Sequence, residues 1–466
     1  MGSLTSLYDL SRSALSADQL ALNTTANNVA NQNTAGYVRQ SVTFLEGDQV
    51  TINGQTTING PTATTVSKRD RVLEQRVQQQ TQTQAETSAH ADVLSQIENV
   101  FGITGSASTA GSTEIGTALN GFASSLTALE GNPSDTAMRQ AVLSAASTLA
   151  SAFNTASNAL GSVQTALNSN LSDAVTQINS LTSTIAKLNA QIGANSPKAD
   201  AGTLEDQRQQ AIAQLSQYIG LDQVATENNG ITLTTRGGTP LVAGAQSFNL
   251  SAASAGGTTT ISDSSGTSLN ASIQGGSVGG QLAAQQTDLP AAQTALDQLA
   301  FSVASAVNAQ NAAGLDGSGN PGGAIFSLPA TAAGAARAIA VSAAGPNAIA
   351  AAAIAEGVTG NSNSSLLAGL LEQPNASGTT PTGQLASLLS SVGSTSSRLQ
   401  EQTTAQSASL TQLTTQRDSL SAVSLDAEAA NLSQYQRSYQ AAAKLFSILD
   451  SLVVASLNLG EQTTVA

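Results

Sequence analysis

The sequence predicts a mainly α-helical protein: a long helical bundle or coiled-coil rod built from both termini, with a small β domain inserted in the middle. Three observations support this fold class. Apolar residues recur every seven residues near both ends of the 466-residue chain. Between Leu149 and Ile192 they recur mostly at alternating steps of three and four. From about residue 221 the pattern changes to short alternating stretches separated by Gly and Ser, which is typical of strands.

The composition favours regular helix packing over one large globular core. Hydrophobic residues make up 40% of the chain, but many of them are Ala, and aromatic residues are only 3%. Because Ala buries little apolar area, the packing must come from long seams of Ala, Leu and Val. Charged residues are 10% of the chain, against roughly 25% in ordinary globular proteins. Ser, Thr, Asn and Gln therefore supply most of the polarity.

The charge balance and the missing residue types exclude several classes of function. A formal net charge of −14, with only 16 basic residues, predicts that the protein binds neither nucleic acid nor an anionic membrane. Without Cys, the chain cannot form a disulfide or a thiolate metal site. No stretch approaches the roughly 18 apolar residues that span a bilayer. Charged residues near the N-terminus stand where a cleavable signal peptide needs an apolar core, so we expect none.

No catalytic, cofactor-binding or metal site is predicted. The only His is His90, which lies in a Gln-rich helical segment, and we interpret it as a structural residue. The segment GLDGSGNPGG resembles the start of a calcium loop. Pro321 and Ser327, however, stand where an EF-hand requires Gly and Glu.

The first helix is predicted to end near residue 30. Tyr8, Leu15, Leu22 and Val29 form its apolar stripe at seven-residue steps. The cluster of Asn residues that follows suits a helix exit, because Asn competes for backbone hydrogen bonds and tolerates the left-handed conformation.

The interior elements follow from periodicity and turn residues. Short strands or hairpins are predicted near 38–66, and the segments ITLTTRGGTPLV, TTTIS and SLNASI are predicted strands of the β domain. Thr203 is predicted to cap a helix, with Asp206 at the capping-box spacing. Helical periodicity is also present over 70–100, 114–130, 149–192 and 282–307.

The C-terminal end mirrors the N-terminal one. Leu425, Leu432, Tyr439, Phe446 and Val453 recur at strict seven-residue steps. Two heptad-patterned ends on one chain can pair with each other, and they can equally pair with copies in neighbouring subunits.

These elements divide the chain into three predicted parts. Terminal helices comprise 1–37 and 425–466, a helical rod domain comprises 38–220 and 277–424, and the small β domain comprises 221–276. Helices this poor in charge and aromatic residues are marginal alone. We therefore expect both terminal parts to be disordered in the free monomer and to order when neighbouring subunits bury their apolar stripes.

Both ends of the chain resemble a known protein family. The segments ALSADQLALNTTANNVANQNTAGYVRQ (14–40) and SLDAEAANLSQYQRSYQAAAKLFSILDSLVVASLNL (424–459) are similar to the N- and C-terminal signatures of the bacterial flagellar rod and hook family. The interior narrows the resemblance to the hook-associated proteins at the junction between hook and filament. The interior blocks that resemble them are 131–154, 204–221, 275–326 and 349–370.

The resemblance implies a structural subunit of the flagellum, with no enzymatic activity and no cofactor. Its implied partners are further copies of itself, the hook protein, the second hook–filament junction protein and an export chaperone on the C-terminal helix. It implies an extracellular place in the flagellum, reached by export without a cleavable signal peptide. Tyr37 and Arg39 are predicted anchors, because Tyr and Arg are enriched at interface hot spots. The predicted assembly-interface residues are Tyr8, Leu15, Leu22, Asn28, Val29, Asn31, Asn33, Gly36, Tyr37, Arg39, Gln40, Leu425, Leu432, Tyr435, Tyr439, Phe446 and Val453.

Two alternatives stay open at the level of sequence. One is a secreted adhesin with a coiled-coil stalk, which should form a stable oligomer through the Leu149–Ile192 seam. The other is a different axial protein of the hook or rod, which would lack so long an internal coiled coil.

Overall fold

The protein is mainly α-helical, as the sequence predicts. A computed structural model describes residues 2–34, 37–47, 49–52, 55–58, 60–103, 113–195, 202–227, 229–374, 378–421 and 423–462. The helices are α1 (Gly2–Ala30), α2 (Arg71–Val100), α3 (Glu114–Gly131), α4 (Thr136–Asn195), α5 (Thr203–Tyr218), α6 (Gly276–Ala283), α7 (Leu289–Ala312), α8 (Ala335–Ala338), α9 (Ser362–Gly369), α10 (Pro381–Ser421) and α11 (Leu425–Gln462). A π-helical turn, Ala284–Asp288, joins α6 to α7.

The strands are short, and all the described pairs are antiparallel. They are β1 (Gln40–Leu45), β2 (Gln49–Ile52), β3 (Gln55–Ile58), β4 (Thr62–Ser67), β5 (Leu221–Ala225), β6 (Ile231–Thr235), β7 (Pro240–Ala243), β8 (Gln246–Ser247), β9 (Ser251–Ala255), β10 (Thr258–Ser262), β11 (Gly314–Leu315), β12 (Phe326–Ser327), β13 (Ala340–Val341) and β14 (Ala352–Ala353). One sheet has four strands in the order β5-β6-β7-β8. The other described sheets are the pairs β1-β4, β2-β3, β9-β10, β11-β14 and β12-β13.

The chain divides into two compact units. Unit 1 comprises residues 1–83, 177–250 and 406–466, and unit 2 comprises residues 84–176 and 251–405. The helices α2, α4 and α10 have residues in both units. Each unit is therefore assembled from segments that are far apart in sequence.

Unit 1 contains both terminal helices of the chain, α1 and α11. Helix α1 packs against α11 and also contacts β1, β3 and β4. The four-stranded sheet has its own apolar face, because alternate residues of β6 are buried, as expected for a strand with one face in a core. Ile231, Leu233, Leu241 and Val242 are all buried there.

Unit 2 has a core of large side chains between helices. Phe122 of α3, Phe153 of α4 and Phe326 of β12 are fully buried. The rings of Phe122 and Phe326 meet edge to face with centroids 5.8 Å apart, a favourable aromatic geometry. Helix α6 approaches α2 closely at Gly280, where a Cβ would overlap the backbone carbonyl of Glu86.

The longest helix begins earlier than the predicted seam. Helix α4 starts at Thr136, where Asp135 caps it by accepting a hydrogen bond from the Ala137 amide at 2.7 Å. Val142 and Ala146 are completely buried. The apolar pattern therefore extends one turn or more beyond the first residue that the periodicity identified.

The predicted cap of α5 is wrong. Thr203 is the first residue of the helix, and the N-cap is Gly202 with φ +51°, a conformation that Gly adopts without steric cost. The carboxylate of Asp206 instead accepts a hydrogen bond from Arg69 Nη2 at 2.5 Å. Asp206 therefore pairs with Arg69, which lies outside α5, and does not form the predicted capping box.

The strands of the 221–276 region form two sheets rather than one. The sheet β5-β6-β7-β8 belongs to unit 1 and the pair β9-β10 to unit 2. The predicted strand at SLNASI is wrong, because this segment turns after a single bridge at Ser268. The Asn270 side chain accepts from the Ile261 amide and donates to the Thr259 carbonyl, each at 2.8 Å. It thereby occupies the edge of β10 that a further strand would have used.

Asn side chains on the long helices fix neighbouring chain segments through backbone hydrogen bonds. Asn189 donates to the carbonyls of Ile231 and Gly244, each at 2.8 Å. Asn179 both donates to the Leu250 carbonyl and accepts from the Leu250 amide, each at 2.8 Å. One amide group supplies a donor and an acceptor without the desolvation cost of a charge. We call these residues amide pins: Asn154, Asn168, Asn179, Asn189, Asn308 and Asn311.

Replacing a buried amide pin should destabilise unit 1. Asn189→Ala leaves the Ile231 and Gly244 carbonyls without their side-chain donor, so we expect the free energy of unfolding to fall by about 2–4 kcal/mol. Urea titration followed by tyrosine fluorescence measures this loss, since all five Tyr residues lie in unit 1 and the chain has no Trp.

Asn170→Ala is the matched control, because Asn170 is an exposed amide on the same helix. It should leave the urea midpoint nearly unchanged. Equal midpoints for the two variants would contradict the role of the amide pins.

Candidate interface of the terminal helices

The segment after α1 turns back along the helix end. The Asn31 amide donates to the Asn27 carbonyl at 3.0 Å, and the Thr34 amide donates to the Asn31 carbonyl at 2.9 Å. Asn33 is exposed. Asn31 and Asn33 therefore act in the helix exit, as predicted from their residue type, and they do not join the contacts described next. Gly36 lies outside the described residues.

Asn28 is the centre of a buried polar cluster. It is 1% exposed. Its Nδ2 donates to the Gln40 carbonyl at 2.7 Å, and its Oδ1 accepts from the Gln40 amide at 3.0 Å and from the Tyr37 hydroxyl at 2.9 Å. Both ends of the side-chain amide are thus satisfied. The start of β1 is thereby fixed to the last turn of α1.

Glu428, in the first turns of α11, completes this cluster. Its Oε1 accepts from Arg39 Nε at 2.6 Å, and its Oε2 accepts from Asn28 Nδ2 at 3.1 Å. The Glu428 side chain is 1% exposed and the Arg39 side chain 28% exposed. The Arg39 amide also donates to the Ser421 carbonyl at 3.0 Å. We call Asn28, Tyr37, Arg39, Gln40 and Glu428 the terminal clasp.

The environment of the terminal clasp is electrostatically negative around Tyr37. Burial, followed by the charges of Asp206 and Glu428, raises the pKa of Tyr37 from 10.0 to about 12. A pKa raised in the folded state contributes stability that is present below pH 10 and is lost as the pH rises through about 12. The Gln40 amide lies against Gly202, where a Cβ would approach Gln40 Nε2 to 3.1 Å.

The apolar stripes of α1 and α11 meet, but they are only partly covered. The rings of Tyr8 and Phe446 lie 4.7 Å apart, and those of Phe44 and Tyr435 lie 6.1 Å apart. Val29 remains 38% exposed. The other predicted stripe residues are half-buried, except for exposed Leu425: Leu15, Leu22, Leu432, Tyr439 and Val453.

Small and polar side chains occupy the fully buried face of α1. These residues are Ser11, Ala17, Asp18, Ala21, Thr24, Thr25 and Asn28.

Helix α11 also has a second apolar face that the chain itself leaves open. Leu445, Ile448 and Leu452 are 58%, 49% and 50% exposed at helical spacing. Within one chain, the large apolar side chains of both helices therefore keep much of their surface in water.

The described residues suggest no chemistry beyond packing and hydrogen bonding at this interface. No group of three or more His, Asp or Glu residues among them could hold a metal ion. His90 Nε2 lies 2.6 Å from Asp288 Oδ2 within unit 2, which fits its interpretation as a structural residue. Among the described helices, none combines the length and the apolar character needed to cross a membrane.

Sequence reasoning located part of the terminal clasp. It singled out Asn28, Tyr37, Arg39 and Gln40, and the structure brings these four together. It placed the polar ends of Tyr37 and Arg39 at a surface between subunits, whereas the structure engages both within the chain. It missed Glu428, whose only sequence signal is an acidic residue close to the start of a heptad-patterned helix.

Weakening the terminal clasp should reduce the pairing of α1 with α11. Glu428→Gln removes the charge that faces Arg39, so we expect the equilibrium constant for pairing to fall about tenfold. Single-molecule energy transfer measures the paired fraction, with dyes on Cys introduced at the exposed residues Gln19 and Gln440. The absence of natural Cys makes this labelling specific.

Asp426→Asn is the control, since Asp426 is an exposed carboxylate in the first turn of the same helix. It should leave the paired fraction unchanged. A Glu428→Gln variant with the paired fraction of the parent chain would refute the role of the terminal clasp.

Comparisons with known proteins agree across the chain. Family models match the flagellar hook-associated protein FlgK helical domain over residues 94–326, the flagella basal body rod protein over 9–37 and the flagellar basal body rod FlgEFG protein C-terminal region over 416–459. The two terminal matches contain Asn28, Tyr37 and Glu428 of the terminal clasp and most of the heptad stripes, whereas Arg39 and Gln40 lie just beyond the first match. The interior match includes α3, α4 and the four-stranded sheet.

Individual relatives give the same result. The chain is 28% identical to flagellar hook-associated protein 1 of Salmonella typhimurium over 337 residues, which is 70% of this chain and 60% of that relative. It is 28% identical to the Bacillus subtilis protein of the same name over 507 residues, 97% of each chain. The fold resembles the flagellar hook junction protein FlgK from Burkholderia pseudomallei, with a TM-score of 0.67 and 22% identity, over 75% of this chain and 100% of that one.

Proposed function

Because the chain belongs to the family of the flagellar hook-associated protein FlgK, whose helical-domain model matches half of its residues, we propose that it is a structural subunit at the junction between flagellar hook and filament. The observation that supports this most directly is the state of the terminal helices. They are held together by the terminal clasp, yet their large apolar side chains remain half-exposed. Such surfaces become stable when neighbouring copies cover them.

The proposed mechanism is polymerisation coupled to ordering of both ends. Burying one Leu side chain is worth about 1.5–3 kcal/mol, so the open face of α11, with Leu445, Ile448 and Leu452 about half exposed, gives little stability within a single chain. We propose that residues 1–37 and 425–466 are mobile in the free monomer and order as copies assemble. The terminal clasp would then fix where α11 starts relative to α1, so that each new subunit presents the same apolar surface.

The interior of the chain would set the spacing between copies. The match over residues 94–326 is to a hook-associated helical domain, which favours a junction protein over a hook or rod protein. An adhesin stalk would need the Leu149–Ile192 seam to be free for oligomer formation. Residues of that seam are instead buried within the chain, among them Leu149, Leu160, Leu171, Ile185 and Ile192.

Three further partners follow from the same proposal. The hook protein would contact one end of the assembled ring of copies, and the second hook–filament junction protein would contact the other. A cytoplasmic chaperone would cover the open face of α11 formed by Leu445, Ile448 and Leu452 before export. The assembled protein would stand outside the cell as part of the flagellum, with no enzymatic activity.

Polar substitutions on the open face of α11 should abolish assembly without unfolding the monomer. In Leu445→Ser/Leu452→Ser, each subunit loses two apolar contacts worth about 1.5–3 kcal/mol each. We expect normal monomer melting, loss of polymerisation of the purified variant measured by light scattering, and cells without filaments under the electron microscope.

Val224→Ser/Ile354→Ser is the matched control, because it removes two exposed apolar side chains, 58% and 64% accessible, outside the terminal helices. It should polymerise and retain filaments. Normal filaments on cells that carry Leu445→Ser/Leu452→Ser would overturn the proposed mechanism.

A further inference from the structure

Unit 1 contains a polar cavity outside the terminal helices. It has a volume of about 250 Å³ and lies between the start of α2, helix α5 and the strands β5 and β6. Three guanidinium groups line it, those of Arg69, Arg71 and Arg208. We call it the arginine cavity. A volume of this size holds a multi-atom group, since one water needs only about 10–15 Å³.

Arg208 is buried and forms no ion pair with a carboxylate among the described residues. It is 4% exposed. Its Nη1 donates to Asn189 Oδ1 at 2.9 Å and to the Asn229 carbonyl at 2.6 Å, and its Nε has no hydrogen-bond partner. Among the ion pairs that the described residues form, none includes Arg208. A buried cation held only by neutral oxygens is costly, because these do not replace its full hydration.

The charges around the cavity act on Arg208 together. Burial lowers the pKa of the Arg208 guanidinium, Glu205 opposes that effect, and Arg71 and Arg69 lower the pKa further. The two neighbouring cations are therefore close enough for their fields to reach the buried one.

The ion pairs at the cavity are unevenly distributed among its guanidinium groups. Two carboxylates, those of Glu74 and Glu205, line it beside the three guanidiniums. Arg69 lies 3.5 Å from Glu74 and 2.5 Å from Asp206, so these two carboxylates more than offset its charge. Arg71 is exposed and forms none of the ion pairs found among the described residues. Arg71 and Arg208 therefore carry two positive charges against the single carboxylate of Glu205, which favours an anion beside these two groups.

We propose that the arginine cavity binds a small oxyanion, a phosphate or carboxylate group whose oxygens accept hydrogen bonds from Arg71 and Arg208. Guanidinium groups match this geometry because their planar donors pair with two oxygens at once. The amides of Gln78, Gln209 and Gln223 and the hydroxyl of Thr226 also line the cavity and can complete the shell. The oxyanion is either a free small anion or the acidic side chain of another protein.

Calorimetric titration of the dilute full-length monomer tests the proposal. Sodium phosphate stands for the free anion and sodium glutarate for a protein side chain, each against sodium chloride of the same ionic strength. We expect a saturable isotherm, which Arg71→Gln weakens about tenfold through loss of one charge-assisted contact. Tighter binding of phosphate identifies a free anion, and tighter binding of glutarate identifies a protein carboxylate.

Arg76→Gln is the matched control, because Arg76 is an exposed guanidinium on the same helix that does not line the cavity. It makes the same change in net charge and should leave the affinity unchanged. Arg71 is exposed, so its variant should retain the circular dichroism spectrum of the parent. No saturable binding of either anion, or equal weakening by both substitutions, overturns the proposal.

Discussion

The arrangement of the two ends of the chain depends on one buried carboxylate. Glu428 reaches Arg39 across 389 residues of sequence and Asn28 across 400. Such a group is stable inside a protein only when each oxygen has a donor, and Asn28 in the last turn of α1 and Arg39 after that helix supply one donor each. The hydrogen bonds of Asn28 with Gln40 and Tyr37 fix that turn in its own place. The terminal clasp is therefore a geometric constraint that brings α11 to α1 in one register, while the apolar side chains outside it are only partly buried.

A chain with so few charges must hold its segments together by other means. Among the described side chains, several Asn amides hydrogen-bond to distant backbone groups: Asn28 at the terminal clasp, Asn189 and Asn179 beside the sheet, and Asn311 in unit 2. An amide satisfies a backbone donor and acceptor without the cost of burying an ion. The difference in solvation free energy between the folded and unfolded states is also smaller for a neutral amide than for an ion. Few charges therefore have to be desolvated when the chain folds.

Periodicity predicted the helices well because it records which face of each helix is buried. The seam from Leu149 to Ile192 is a single helix, and both heptad-patterned ends are helical. Local patterns failed where a distant partner competes for the same group. Asp206 binds Arg69 instead of capping α5, and Asn270 takes the edge of β10 that the predicted strand needed. For the same reason the sequence identified only part of the terminal clasp. Asn28 and Tyr37 lie in one segment with a recognisable pattern, whereas Glu428 lies far from it in sequence.

We propose that neighbouring copies order both ends of the chain, and hydrogen exchange of backbone amides in α1 and α11 measures this ordering. We expect fast exchange along both helices in the dilute monomer and strong protection after polymerisation, while the amides of α4 are protected in both states. Protection of α1 and α11 in the solitary monomer, equal to that in the polymer, would contradict it. Such a result would mean that the terminal clasp and the half-covered stripes are sufficient to fold both ends without a second copy.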